Sequence, residues 1–102
     1  MKNETIQLSK QTQQNIRSLF YLIKEPSRYI SYNMLKNVNR DMFPIFSAIN
    51  KPISYSDYHV TVLLDRDKFF KLLAFCDLVG NENRRAYEIY DELFGIWQRN
   101  EI

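Results

Sequence analysis

The chain has 102 residues, 45% of them hydrophobic and 25% charged, proportions that fit one soluble domain spanning residues 1–102 with an ordinary core. A single cysteine, Cys76, excludes an internal disulfide, and together with a single histidine, His59, it excludes any zinc site built from Cys and His side chains. The net charge of +2 conceals a division, because residues 1–55 carry eight Lys or Arg against three Asp or Glu, whereas residues 56–102 carry six against nine.

Glu4 to Leu8 alternates, with Ile6 and Leu8 on one side and Thr5 and Gln7 on the other, and predicts a short strand. Ser9 then caps a helix over 10–24, in which Ile16, Leu19, Phe20 and Ile23 recur at helical spacing; Pro26 ends it. Ser31 is the next candidate cap, and Met34, Leu35, Val38 and Met42 line one face of a second helix. Asp41 offers a cap for a further short helix with Pro44 in its first turn, where a missing N–H costs nothing. Whether 32–50 is one helix or two stays open at this level.

Lys51-Pro52-Ile53 breaks the pattern. From Tyr58 the chain alternates again, with Tyr58, Val60, Val62 and Leu64 pointing one way and His59, Thr61 and Leu63 the other, so a strand is predicted at 58–64. Asp65 or Asp67 caps a helix that runs to Val79, with Gly80 as its stop. That helix is apolar nearly all round. The last helix, 82–99, sets Ala86, Ile89, Tyr90, Leu93, Phe94 and Trp97 on one face and Arg84, Arg85, Glu88, Asp91, Glu92 and Arg99 on the other. The expected fold is therefore α+β and mainly helical, with four to five helices and a small two-stranded element.

Enzymology finds little support. The two glycines, Gly80 and Gly95, are isolated, so no loop lays consecutive backbone N–H groups around a phosphate. His59 has no nucleophile beside it in sequence and reads as a strand-rim residue. Asp65-Arg66-Asp67 carries two carboxylates but lacks the glycine and later glutamate of a calcium loop, so a helix cap explains it more simply. No catalytic residue, metal or cofactor is expected. No apolar run approaches the ~18 residues of a membrane span. The start, Met1-Lys2-Asn3-Glu4-Thr5, lacks the apolar stretch of a signal peptide, and the expected location is cytoplasmic. Three Ala and two Gly against ten Ile and nine Asn match AT-rich codons, and with them a low-GC bacterium or its phages and plasmids.

Binding remains, in two forms. The dipole of a basic and an acidic half steers the basic side toward nucleic acid or an acidic protein, although two ordinary solvated faces would look the same. One DNA-binding arrangement is a ribbon-helix-helix, since a strand, a helix and a Ser-capped helix follow in that order; the likeness covers the first 43 residues and offers Thr5 and Gln7 to the major groove. The other is a winged helix, with a turn near Asn39-Arg40 and a third helix at 42–50. That third helix is mostly apolar and leaves few groups to read DNA. In either case Lys10, Arg17, Lys36 and Arg40 are the candidate phosphate contacts.

The favoured form is a protein-binding module. Seven Phe, seven Tyr and one Trp are more than a core of this size needs, and large amphipathic rings are enriched in interface cores. The final helix carries its stripe close to the C-terminus, where little chain is left to cover it. Tyr87, Tyr90 and Trp97 are the expected contacts, with Arg84 and Arg85 as a polar rim; closure of the chain's own core is the competing account of that stripe. The sequence thus points to a non-enzymatic regulator or inhibitor from a phage or mobile element, docking on a protein partner or on a second copy as a homodimer, with a DNA-binding regulator as the alternative.

Overall fold

In the computed structural model the described residues are 5–24, 30–80 and 83–99. They form a mainly helical α+β fold: β1 (Thr5–Ser9), α1 (Lys10–Leu19) continuing as a 3-10 turn (Phe20–Ile23), α2 (Tyr32–Asn50), β2 (Ser54–Tyr55), β3 (His59–Leu63), α3 (Arg66–Gly80) and α4 (Arg84–Gln98). The strands make one antiparallel sheet in the order β1-β3-β2.

Alternation sets the register of the sheet. Ile6 lies opposite Val62 and Leu8 opposite Val60, and all four are buried, so a slip of one residue in either strand would turn that strand's pair out to water. The outer face carries Gln7, His59 and Leu63, exposed, with Thr5 and Thr61 half-buried. β3 begins at His59 rather than at Tyr58, whose ring is exposed in the turn that the Ser56 N–H closes on the His59 carbonyl at 2.9 Å. The third strand, β2, has only two residues, too few to show a period; its pairing is extended by the Ile53 N–H donating to the Thr61 carbonyl at 2.8 Å.

Capping decides where three of the helices begin. The Ser9 hydroxyl accepts from the Thr12 N–H at 3.0 Å, the Asp65 carboxylate from the Lys68 N–H at 2.8 Å, and the Asn83 amide oxygen from the Ala86 N–H at 3.1 Å. Ser31 stands at the N-cap of α2 without a side-chain cap bond; its carbonyl instead accepts from the Met34 and Leu35 N–H groups.

The choice left open over 32–50 falls to a single helix. α2 runs unbroken through Asp41 and Pro44, so there is no turn at Asn39-Arg40 and no third helix of the winged-helix arrangement. Pro44 sits on the exposed side of the helix. Its missing N–H costs about 3 kcal/mol, whereas burying Met42, Ile45, Phe46 and Ile49 contributes roughly 1.5–3 kcal/mol for each side chain. Tertiary burial therefore overrides the local break signal.

α1 and α2 pack against the sheet, α1 lies between α2 and α4, and α3 packs against α2 and α4. Phe46 anchors this core through edge-on contacts with Phe20 at 5.5 Å and Phe75 at 6.2 Å between ring centres. The apolar residues of α3 resolve into a buried side, Phe69, Leu72, Phe75, Cys76 and Val79, and an outer side with Phe70 and Leu73 half-buried and Leu78 exposed.

Burial pushes the Cys76 thiol up to about 12 from the ordinary 9.0, because a thiolate is poorly solvated in an apolar interior. A group whose pKa is raised on folding contributes stability in full below its unfolded value and loses it as pH climbs toward the folded one. Stability should accordingly fall between about pH 9 and about pH 12, and Cys76→Ala should remove part of that slope in urea titrations at several pH values. Equal slopes for the two proteins would contradict a buried thiol.

Candidate interaction surfaces

Two apolar registers run side by side along α4. Ala86, Ile89, Leu93 and Ile96 form the buried one; Tyr87, Tyr90, Phe94 and Trp97, each one residue later, form a flanking stripe. The same i, i+3, i+7, i+10 spacing generates both, so periodicity alone merges them into one face. The structure separates them by burial: Tyr90 and Phe94 are half-buried, Trp97 is 41% exposed and Tyr87 62% exposed.

That stripe continues onto α3 as a ladder of rings. Tyr90 stacks on Phe94 at 5.9 Å, Phe94 meets Trp97 at 5.5 Å, and Trp97 meets Phe70 edge-on at 6.0 Å; Phe70 in turn touches the fully buried Phe69 at 5.3 Å. The Arg66 guanidinium lies 5.2 Å from the centre of the Phe70 ring, within the range of a cation–π contact. At the other end of the ladder a notch of about 100 Å³ is lined by Cys76, Asp77, Gly80, Tyr87 and Tyr90. Arg84 and Arg85 are exposed just before the stripe, and the Arg84 Nε lies 3.2 Å from the Glu88 carboxylate.

The expected protein-contact residues Tyr87, Tyr90, Trp97, Arg84 and Arg85 all lie on α4, but only the three rings share a side: Arg84 borders the stripe one turn before Tyr87, and Arg85, two residues from Tyr87, lies across the buried register from it. In the sequence Phe70, Leu73 and Leu78 belong to a helix that is apolar nearly all round, whose period is too weak to say which of its residues face outward.

The candidate nucleic-acid contacts divide. Thr5 and Gln7 lie on the outer face of the sheet, and β1 pairs with β3 of its own chain, which supplies internally the neighbouring strand that a ribbon-helix-helix takes from a second copy. Lys10 and Arg17 are exposed on α1, seven residues apart and so on one line; Lys36 and Arg40 are exposed on α2, one turn apart. α1 and α2 run antiparallel, with the Gln13 amide donating to the Ile49 carbonyl at 2.9 Å at one end and Phe20 meeting Phe43 at 6.1 Å at the other.

The acidic side chains near the sheet are engaged in structure. The Ser9 N–H and hydroxyl both donate to the Glu92 carboxylate at 3.2 Å, and the Asn15 amide donates to Glu88 at 3.4 Å. Asp65 caps α3, and Asp67 lies 3.3 Å from the Lys71 ammonium. Among the described residues no three His, Cys, Asp or Glu side chains converge as metal ligands, and no helix is long and apolar enough to cross a membrane. His59 is exposed on the sheet's outer face. Comparison with known protein families, with curated proteins and with solved structures finds no match to this chain.

Proposed function

We propose that this chain is a non-enzymatic binding protein that docks on a protein partner through the α3–α4 aromatic strip, as a cytoplasmic regulator or inhibitor carried by a phage or mobile element and directed at nucleic-acid-handling machinery. One observation carries the reading: the ladder from Phe70 through Trp97 and Phe94 to Tyr90 reaches a notch that Tyr90 shares with Tyr87, and Tyr87 is 62% exposed. Rings left in water lose about 25 cal/mol for each Å² of apolar area that a partner would cover, and Tyr and Trp are the residues on which interface energy concentrates. Arg84, exposed at the edge of the stripe, favours a partner that presents an apolar ridge beside an acidic group.

The test replaces Tyr87 and Tyr90 singly with Ala and measures both melting temperature and partner capture from the native host, with and without nuclease. Tyr87→Ala should leave melting within a few degrees and abolish nuclease-resistant capture. Tyr90→Ala, half-buried, should lower both. A large drop in melting for Tyr87→Ala, with capture retained by the folded fraction, would assign the stripe to the chain's own core.

A further inference from the structure

A second surface stands apart from the strip just described, and its composition is different. The segment 5–24 contains three cations, Lys10, Arg17 and Lys24, and no acid; on α2, Lys36 and Arg40 are accompanied by one acid, Asp41. Lys36, Arg40 and Phe43 recur at i, i+4 and i+7, which is a single stripe of that helix. Phe43 is 54% exposed. Its ring touches Phe20 at 6.1 Å, and the Lys24 ammonium stands 4.8 Å over the Phe20 ring. Arg17 is exposed one turn before Phe20. One open ring, Phe43, backed by the half-buried Phe20, is therefore bordered by cations from both segments.

We propose that this α1–α2 face binds single-stranded nucleic acid, with Phe43 as the stacking platform for an unpaired base and Arg17, Lys24, Lys36 and Arg40 as phosphate contacts. Charge complementarity selects the partner, because a polyanion is the ligand that a cluster of cations attracts when, among the described residues of these two segments, one acid accompanies it. The ring selects the strand, because stacking on an exposed aromatic needs a base that is free of its own pairing. Lys36 and Arg40 are separated by about 6 Å along the helix axis, a spacing of the order of one extended nucleotide. Asn33, Asn37 and Asn39 are exposed along the same half of α2, and their amides both donate and accept, as base edges require. A bilayer would need a broader apolar face than one ring among amides and cations. The Arg40 Nε lies 3.4 Å from the Asp41 carboxylate, both well exposed, an arrangement that water screens and a phosphate can replace. Sequence preference is expected to be weak, since every base has a stacking face.

The experiment is fluorescence anisotropy of an end-labelled deoxythymidine oligomer of about 20 nucleotides, against a duplex of matching length and against vesicles with anionic headgroups, at about 50 mM and about 200 mM salt. The oligomer should bind more tightly than the duplex, and the higher salt should weaken it markedly. Phe43→Ala should cost about tenfold for the single strand and little for the duplex. Lys36→Gln with Arg40→Gln, at exposed positions that do not threaten folding, should weaken both ligands and flatten the salt dependence. Phe43→Leu keeps apolar bulk against Phe20 but removes the stacking ring, so it should behave as Phe43→Ala does while retaining the wild-type melting temperature. The proposal fails if the oligomer does not bind at the lower salt, if the duplex binds as well as the single strand with Phe43→Leu unchanged, or if the vesicles are the better ligand. None of these outcomes depends on Tyr87 or Tyr90, so they leave the reading of the α3–α4 strip to its own test.

Discussion

Phe46→Ala should destabilise the protein by about 3–5 kcal/mol, a large part of the ~5–15 kcal/mol that holds a typical domain together. Phe46 is 1% exposed and is the ring through which α2 meets both the Phe20 end of the 3-10 turn and Phe75 of α3. Removing it leaves a cavity bordered by three separate elements, none of which can collapse without dragging its neighbours. Melting should fall by roughly 20 °C or more. The neighbouring ring on the same helix gives the contrast: Phe43→Ala, three residues earlier and half in water, should cost no more than about 1 kcal/mol. Similar losses at the two positions would mean that α2 is rotated from the orientation described.

Pro44→Ala should act in the opposite direction and raise stability by about 1 kcal/mol. Pro44 lies thirteen residues into α2 on its exposed side, so alanine restores an N–H that can donate to the Arg40 carbonyl and removes the ring's clash with that turn. The full ~3 kcal/mol is not recovered, because the surrounding backbone has relaxed about the ring and alanine leaves the unfolded chain freer by some 0.4–1 kcal/mol. Melting should rise by roughly 4–8 °C. An unchanged or lower melting temperature would show that the proline holds a helix geometry on which the core depends.

These two positions also show where the sequence is legible and where it is not. The cap at Ser9, the alternation of β3 and the strand-to-helix junction at Asp65 can be read directly, because each rests on neighbours close along the chain. Pro44 misleads for the same reason. Its local chemistry is that of a helix start, while the decision to continue is made by Ile45, Phe46 and Ile49 meeting α1 and α3, contacts distant in sequence. β2 escapes notice because two residues carry no period, and it exists by pairing with β3.

The candidate surfaces divide in a similar way. Tyr87 and Trp97 can be picked out as large rings beside the apolar register of α4. Phe70 cannot, since its outward direction is fixed by which side of α3 the rest of the chain occupies. Arg17, Lys36 and Arg40 are visible as charges, but their assembly around Phe20 and Phe43 depends on the antiparallel packing of α1 and α2. Thr5 and Gln7 share the basic half of the chain and yet project from the sheet, so nearness in sequence does not place them with the cations.

Trp97 is the chain's one tryptophan, and it is lodged in the exposed ladder between Phe70 and Phe94 rather than in the core. The protein therefore carries its own optical label, and that label is attached to one of its two faces. Intrinsic emission will register the wetting or covering of the α3–α4 strip by shifting to shorter wavelength when a partner excludes water from the indole. Occupancy of the Phe43 face, on the helices that carry no indole, should leave the same signal where it was. A single cuvette can thus tell which side of the molecule a ligand has chosen.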